Sequence, residues 1–323
     1  MIFSKSKKAN GAKTDICRGD YLSMKLFVTG YRGHFNKYRK GIPFFETLTK
    51  DIGYAALWLR NYFKNGFKSR TILVYPHYPS RGSTIYKVGK AIAYNISNKP
   101  KKDQQFAVYW EYLTFREEYQ FLEKLAAQIP VLNLYSRDIS KIFIDKIHQE
   151  VFGYSTQVNP AEYKGKIVQK SDVNALHDGQ ILDAPMESRG EEYIYQILID
   201  NQYSEDLVLD LRVPVAGKVL DFTYLKYRDI RERFLNTTTN TEVAATTEVF
   251  SKEEIDLLNE YCRKLQLEYG ELDVLRNKHD GKIYVVDVNN TPQGPPANTP
   301  EEKGNKAIAE IGAALLQYAN NES

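Results

Sequence analysis

The sequence contains little cysteine and no hydrophobic run long enough to cross a membrane. Its two cysteines, Cys17 and Cys262, are too few for a disulfide framework, so we expect both to be reduced thiols. No apolar run follows the lysines near the N-terminus, as a secretory signal would require. These absences predict a cytoplasmic protein that does not enter a membrane.

The chain also lacks a strong excess of charge of one sign. Its formal net charge is +3 over 323 residues, which gives no general basis for binding nucleic acid or a membrane surface. Neither a Walker loop nor a dinucleotide fingerprint is present, because the glycines they require are absent. No second His or Cys lies at metal-ligand spacing from His177, so we expect that histidine to be a loop residue.

The pattern of strands and helices changes near residue 135, which divides the chain into two parts. The length of 323 residues also suggests two domains. Residues 1–23 are a polar, basic leader, and Met24, which opens the first strong strand pattern, is an alternative start. Over 24–135, strand and helix patterns alternate, which predicts a parallel α/β sheet in a substrate domain. Residues 136–323 are dominated by strands with tight turns, and we predict a second domain there with a lid subdomain at about 154–195.

Helix signals in the second part are local and specific. Gly153 is suited to end the apolar helical pattern that precedes it. Ser251 and Glu254 have the spacing of a capping box, and Cys262 lies on the apolar stripe of the helix that follows. We therefore expect Cys262 to be a core residue rather than a reactive thiol.

The most informative segment is YGELDVLRNKHDGKIYVVDVNN, which has the pattern of a β-hairpin. A three-residue loop ending at Gly281 would pair Lys278 with Lys282 and place Asp273 opposite Asp287. Asn289 would share the face of Asp287, because strand side chains alternate with a period of two.

Two aspartates that face each other in a strand pair repel, since their β carbons lie about 5 Å apart. A cation removes that repulsion, and two carboxylates with an amide oxygen are hard ligands that suit Mg²⁺. Glu271 falls on the same face, where a peripheral acid of the site is one alternative and a solvated rim residue is the one we expect. The alternative for the whole segment is a polar hairpin with two exposed aspartates and no ion.

Other segments add candidate phosphate ligands. Lys170 ends an apolar strand, and the small, polar stretch up to Gly179 could cover phosphates with its backbone N–H groups. Asp210 and Arg212 share one strand face, where Arg212 could bind a phosphate or simply pair with Asp210. The segment YRDIRERFLN adds Arg228, Arg231, Arg233 and Asn236, of which at least one arginine is expected to face the site.

In this order, KIVQKSD, YIYQILID, LDLRVPVAGK, RFLN and GELDVLRNKHDGKIYVVDVNNTP resemble the ATP-grasp superfamily over roughly residues 136–320. Their spacing is similar to that in ribosomal-protein glutamate ligases, D-alanine–D-alanine ligases and glutathione synthetases. The resemblance implies an α/β (α+β) ATP-grasp fold with an N-terminal α/β pre-grasp domain. Two features depart from the pattern: many members have a glutamate where Asp287 stands, and the lid loop has fewer glycines than usual.

The resemblance also implies roles for individual residues. Cofactor-binding residues would be Lys141 and Lys170 on the phosphates, Gln196, Ile197 and Leu198 at the adenine hinge, and Asp200 on the ribose. Arg212 would stabilise the transferring phosphoryl group, and Asn236 would lie near the triphosphate. The metal ligands Asp273, Asp287 and Asn289 would hold one or two Mg²⁺ ions, with Mn²⁺ as an alternative.

The implied activity is an ATP-dependent ligation. A substrate carboxylate attacks the γ-phosphate to give an acyl phosphate, which an amine, or less often a thiol, then displaces. Arg81 and nearby lysines favour an anionic small-molecule, peptide or sugar-derived substrate. Two alternatives stay open: a phosphotransferase with a hydroxyl acceptor, and a non-catalytic nucleotide-binding module. The sequence does not predict an oligomeric state.

Overall fold

The computed structural model describes residues 44–173, 178–190, 192–235 and 237–321. The predicted leader, the strand that begins at Met24 and the loop residue His177 lie outside these ranges. No helix of the described chain is both long enough and apolar enough to cross a membrane.

The described chain contains seven α-helices and thirteen strands. The helices are α1 (Phe44–Lys64), α2 (Thr84–Ala91), α3 (Gln120–Ala126), α4 (Lys141–Phe152), α5 (Thr246–Val249), α6 (Lys252–Lys264) and α7 (Glu301–Asn321). The first seven strands are β1 (Thr71–Pro76), β2 (Asn95–Ser97), β3 (Gln104–Trp110), β4 (Val131–Leu132), β5 (Gly165–Ser171), β6 (Gln180–Ala184) and β7 (Tyr193–Ile197). The others are β8 (Leu207–Ala216), β9 (Lys218–Val219), β10 (Phe222–Asp229), β11 (Asn240–Ala245), β12 (Tyr269–Arg276) and β13 (Ile283–Asn289).

The first sheet is parallel, in the order β2-β1-β3-β4. Its central strands are fully buried at Ile72, Val74, Phe106 and Val108, as near-continuous apolar runs in parallel sheets require. Helices α2 and α7 pack against this sheet in one hydrophobic core. The predicted alternation of strands and helices into a parallel α/β sheet is thus confirmed.

The second sheet has six antiparallel strands in the order β11-β10-β8-β12-β13, with β9 beside β8. Alternate residues of β8 and β12, such as Val213 and Leu272, are buried against α4 and α6. Because side chains alternate, the intervening residues of both strands face the other way, and these carry most of the charge. The third sheet, β6-β5-β7, is antiparallel; β5 and β6 lie within the predicted lid range, and β7 begins within it and ends at Ile197.

Local signals read from the sequence are confirmed at the helix ends. Gly153 ends α4 in the left-handed conformation (φ +81°), and Ser251 and Glu254 form a reciprocal capping box at α6. Cys262 is buried in the core, as its place on the apolar stripe predicted.

One buried side chain joins the first two sheets. Asn133, directly after β4, accepts hydrogen bonds through Oδ1 from the N–H groups of Glu268 and Tyr269 (3.0 and 2.9 Å). Its Nδ2 donates to the carbonyl of Tyr269 (2.6 Å). The start of β12 is therefore attached to the end of the parallel sheet.

Candidate active site

The charged face of the antiparallel sheet is organised around Asp273. On one side Asp273 lies opposite Arg212 of β8, and on the other side opposite Asp287 of β13. Two residues earlier, Glu271 lies opposite Asn289. The predicted facing of Asp273 and Asp287, with Asn289 on the same face, is thus confirmed.

The hairpin loop differs from the prediction by one residue. Asn277, not Lys278, pairs with Lys282, and its N–H donates to the Lys282 carbonyl (2.9 Å). A register shift after Asp273 compensates for this offset and returns Asp287 to its place. Gly281 adopts the predicted left-handed conformation, with φ +71°.

Arg212 is bound bidentately by Asp273, with Nε–Oδ1 and Nη2–Oδ2 distances of 2.8 and 3.0 Å. Its Nη1 lies 3.5 Å from Glu271 Oε2. Burial opposes ionisation of both partners, but the mutual charges prevail: the pKa of Asp273 is well below its usual range and that of Arg212 is raised. The alternative Asp210–Arg212 pair is not formed, because Asp210 pairs with Arg228 at 3.0 Å.

Asp287 is the unsatisfied member of the carboxylate pair. It is half-buried, and its Oδ1 has no hydrogen-bond partner in the described part of the chain. Burial and the charge of Asp273 raise the pKa of Asp287 to about 6, although Lys141 and Lys170 act in the opposite direction. A buried, unpaired carboxylate oxygen beside a second carboxylate is what a divalent cation would relieve.

Glu271 corrects the expectation of a solvated rim residue. Its exposure is only 2%, and neither of its oxygens has a hydrogen-bond partner within the described ranges. Burial raises the pKa of Glu271 to about 7, against the opposing charge of Arg212. The segment after β13 covers it: a Cβ on Gly294 would lie 3.0 Å from Glu271 Oε1. Strand alternation predicts the face of the sheet on which Glu271 lies, but it does not predict that the segment after β13 buries this side chain.

Two lysines face the aspartates from outside the antiparallel sheet. Lys170 on β5 is half-buried, and burial lowers its pKa to about 8, with Asp287 opposing. Lys141, the first residue of α4, donates from Nζ to the Val173 carbonyl (3.0 Å), and its pKa is also lowered by burial. The two ammonium groups are close enough to Asp287 for each to lower the pKa of that carboxyl.

The arginines of the segment YRDIRERFLN differ in burial and in their partners. Arg228 is buried beside Asp210, whereas Arg231 is exposed and pairs with Asp229. Arg233 donates to the Ile199 carbonyl and to Asn201 Oδ1 (3.0 and 2.7 Å). Sequence reasoning missed a further cation, Lys226, which is 3% exposed. Its signal is the period-two spacing with Arg228 on β10.

The predicted hinge lies at the end of β7. Gln196 is buried and donates from Nε2 to Thr156 Oγ1 (2.8 Å). The N–H groups of Ile197 and Leu198 donate to the carbonyls of Thr156 and Lys166.

Two of the remaining predicted residues already make hydrogen bonds or ion pairs with neighbouring side chains or backbone. Asp200 binds Lys278 and His279 of the hairpin loop, both at 2.9 Å. Asn289 Oδ1 accepts a hydrogen bond from the Thr291 N–H (3.0 Å). Asn236 lies outside the described residues.

The ligand atoms that the predicted residues offer are of the type that a magnesium ion prefers. Within the described ranges, no three His, Cys, Asp or Glu side chains form a group that could hold a metal. The predicted set of Asp273, Asp287 and Asn289 instead combines two carboxylates with an amide oxygen. Asp287 Oδ1 is available, whereas Asp273 would share its oxygens between the ion and Arg212. The face thus offers oxygens for a divalent cation next to lysines for a polyanion.

No protein-family model and no curated protein matches the chain. Solved structures are similar to it at low identity. They include the ATP-grasp ligase PsnB, in complex with a phosphomimetic variant of its minimal precursor, Mg and ADP (12% identity, TM-score 0.49, 77% of this chain and 98% of that one). D-alanine–D-alanine ligase from Bacillus anthracis has 16% identity and a TM-score of 0.46 over 79% of this chain and 98% of its own. The macrocyclase MdnC from Microcystis aeruginosa MRC, bound with the precursor peptide MdnA, has 14% identity and a TM-score of 0.45 (76% and 99%).

Proposed function

We propose that this chain is an ATP- and magnesium-dependent carboxylate–amine ligase of the ATP-grasp type, with a thiol as a less frequent acceptor. The observation that carries the proposal is the pair Asp273–Asp287 facing the two lysines Lys141 and Lys170. Carboxylates that hold a divalent ion and lysines that neutralise phosphates are the two parts needed to bind a magnesium nucleotide.

In this mechanism the chain acts by positioning and by charge. Asp273, Asp287 and Asn289 would hold the ion, which neutralises charge on the phosphates when bound. Lys170, on the three-stranded sheet, and Lys141 bind phosphate oxygens. The Arg212 guanidinium, which Asp273 holds in place by two hydrogen bonds, stabilises the negative charge that develops on the transferring phosphoryl group. The substrate carboxylate attacks the γ-phosphate, ADP leaves, and the amine then displaces phosphate from the acyl phosphate.

We place the carboxylate substrate, an anionic small molecule, peptide or sugar derivative, at the carboxyl end of β1. Open parallel sheets bind ligands at that end of their strands. The loop after β1 contacts the loop after β13 through a hydrogen bond that Ser80 Oγ donates to Gln293 Oε1 (3.0 Å). Residues 24–135 would form the substrate domain and 136–323 the ATP-grasp domain of a cytoplasmic enzyme.

The test is to incubate the purified chain with ATP, magnesium and pools of amino acids, peptides and acidic sugars. Hydroxylamine is added to trap the acyl phosphate as a hydroxamate. Ligation releases free phosphate and yields a product whose mass corresponds to loss of water between the two substrates. A phosphotransferase would keep the phosphate on its substrate, and a non-catalytic module would not turn ATP over. Either result, found across all pools, would refute the ligase.

A further inference from the structure

A cavity of about 560 Å³ is lined in part by Pro295 and Pro296, which directly follow Gly294 in the segment that covers Glu271. It is formed by α1, α2 and the beginning of α7. Arg60 of α1 and Lys87 and Lys90 of α2 line it, together with Glu301 of α7. Its volume is within the range of small-molecule sites, which runs from about 300 to 1,000 Å³.

The lining of this cavity carries an excess of positive charge. The lining contains three cationic side chains and one carboxylate, that of Glu301. Arg60 Nη2 donates to the Lys90 carbonyl (2.5 Å), and Lys87 Nζ donates to the Gly294 carbonyl (2.6 Å). Within the described ranges both of these hydrogen bonds go to neutral oxygens, and the Lys87 ammonium group also interacts with the Glu271 carboxylate at longer range. An anion entering the cavity would be attracted by both charges without displacing a carboxylate from either hydrogen bond.

The chemistry of the lining favours a phosphate over a single carboxylate. A phosphate ester carries up to two negative charges and several acceptor oxygens, which match the combination of an arginine and two lysines. The first turn of α7, at Glu301 and Gly304, also lines the cavity. We propose that this cavity binds the phosphate group of a small-molecule ligand, at a site separate from the nucleotide phosphates.

The cavity is connected to the active-site face through Lys87. Burial lowers the pKa of Lys87 and the charge of Glu271 opposes this, so the ammonium group lies within the field of that buried carboxylate. Glu271 in turn lies 3.5 Å from Arg212, which holds Asp273. Lys87 donates to the Gly294 carbonyl, and a Cβ on Gly294 would lie 3.0 Å from Glu271 Oε1, so one short segment separates the cavity from that carboxylate.

Equilibrium dialysis of the full chain against radiolabelled inorganic phosphate tests the proposal. The ionic strength is held constant with chloride, and no nucleotide is present. A Lys170→Ala background removes one of the two lysines proposed to bind phosphate at the active site and weakens binding there. In that background we expect phosphate to bind, and Arg60→Ala with Lys90→Ala to weaken its affinity about tenfold or more, the effect of losing charge-assisted hydrogen bonds. Lys303→Ala, an exposed lysine on α7 outside the cavity lining, should leave the affinity unchanged.

Three results would overturn the proposal. The first is an absence of phosphate binding in the Lys170→Ala background. The second is equal affinity with and without Arg60 and Lys90, checked with the single charge reversal Lys90→Glu in case the double variant does not fold. The third is displacement of phosphate by succinate at equal concentration, which would assign the cavity to carboxylates. None of these readouts depends on catalytic activity, so failure of the proposed ligase would leave the test intact.

Discussion

The substitution Asp287→Asn should make the nucleotide-free protein more stable while it impairs function. In the folded chain the pKa of Asp287 is raised from 3.8 to about 6 by burial and by the charge of Asp273. The difference of about 2 pKa units corresponds to an upper bound of about 3 kcal/mol. Because Asp287 is partly accessible to water, we expect a gain in the free energy of unfolding of about 1–2 kcal/mol at pH 8.

The pH dependence of this gain in the free energy of unfolding shows whether the raised pKa of Asp287 causes it. The unfolded chain releases the Asp287 proton near its ordinary pKa, and the folded chain releases it only near pH 6. A carboxyl with a raised pKa therefore destabilises the folded state increasingly as the pH rises between these values, and fully above them. The advantage of Asp287→Asn should be near zero at pH 4 and complete at pH 8.

Urea unfolding of both proteins at pH 4, 6 and 8, with EDTA present, measures this difference. Asp256→Asn, at an exposed position on α6, removes the same charge elsewhere and is the matched control. In matched samples without EDTA, magnesium and ATP should stabilise the wild type more than Asp287→Asn, since stabilisation by a ligand increases with the logarithm of its concentration divided by its Kd. A loss of stability at pH 8, or an equal gain at pH 4 and pH 8, would refute the reasoning.

Three further substitutions test the site and the fold. Lys170→Ala should weaken ATP binding about tenfold or more in a fluorescent-nucleotide titration; Lys166→Ala, on the same strand but exposed, should not, and equal losses would contradict the assignment of Lys170. Gly217→Ala should lower the free energy of unfolding by about 2–4 kcal/mol, because its φ is +73° and a Cβ would overlap an aromatic ring. Gly281→Ala, at φ +71° in open space, should cost about 1 kcal/mol, and a similar cost at both glycines would be the contrary outcome. Asn133→Ala removes three buried hydrogen bonds and should cost about 3 kcal/mol in thermal or urea unfolding; a change below about 1 kcal/mol would show that the bonds are dispensable.

Much of the hairpin could be predicted because its determinants are local. Strand alternation assigns the face of Asp273, Asp287 and Asn289, and Gly281 fixes where the chain turns. The one-residue error in the loop did not displace the aspartates, because the register shift after Asp273 absorbs it.

The electrostatic partners could not be predicted in the same way. Arg212 and Asp273 are 61 residues apart, and only the strand order β8-β12 makes them neighbours. Glu271 shares the predicted face but is buried by a segment that folds back over it. Sequence periodicity identifies which side chains share a face, whereas tertiary packing decides which of them are paired, solvated or left without a partner.

The side chain of Asn133 has a mechanical consequence. Its amide makes the hydrogen bonds that a neighbouring strand would make, so the start of the β12–β13 hairpin is attached to the parallel sheet that also carries the loop after β1. Strands β5, β6 and β7, by contrast, form a sheet only with one another within the described chain. Under the proposed function, a movement that brings Lys170 toward the nucleotide is expected in that small sheet, while the β12–β13 hairpin keeps its attachment to the parallel sheet.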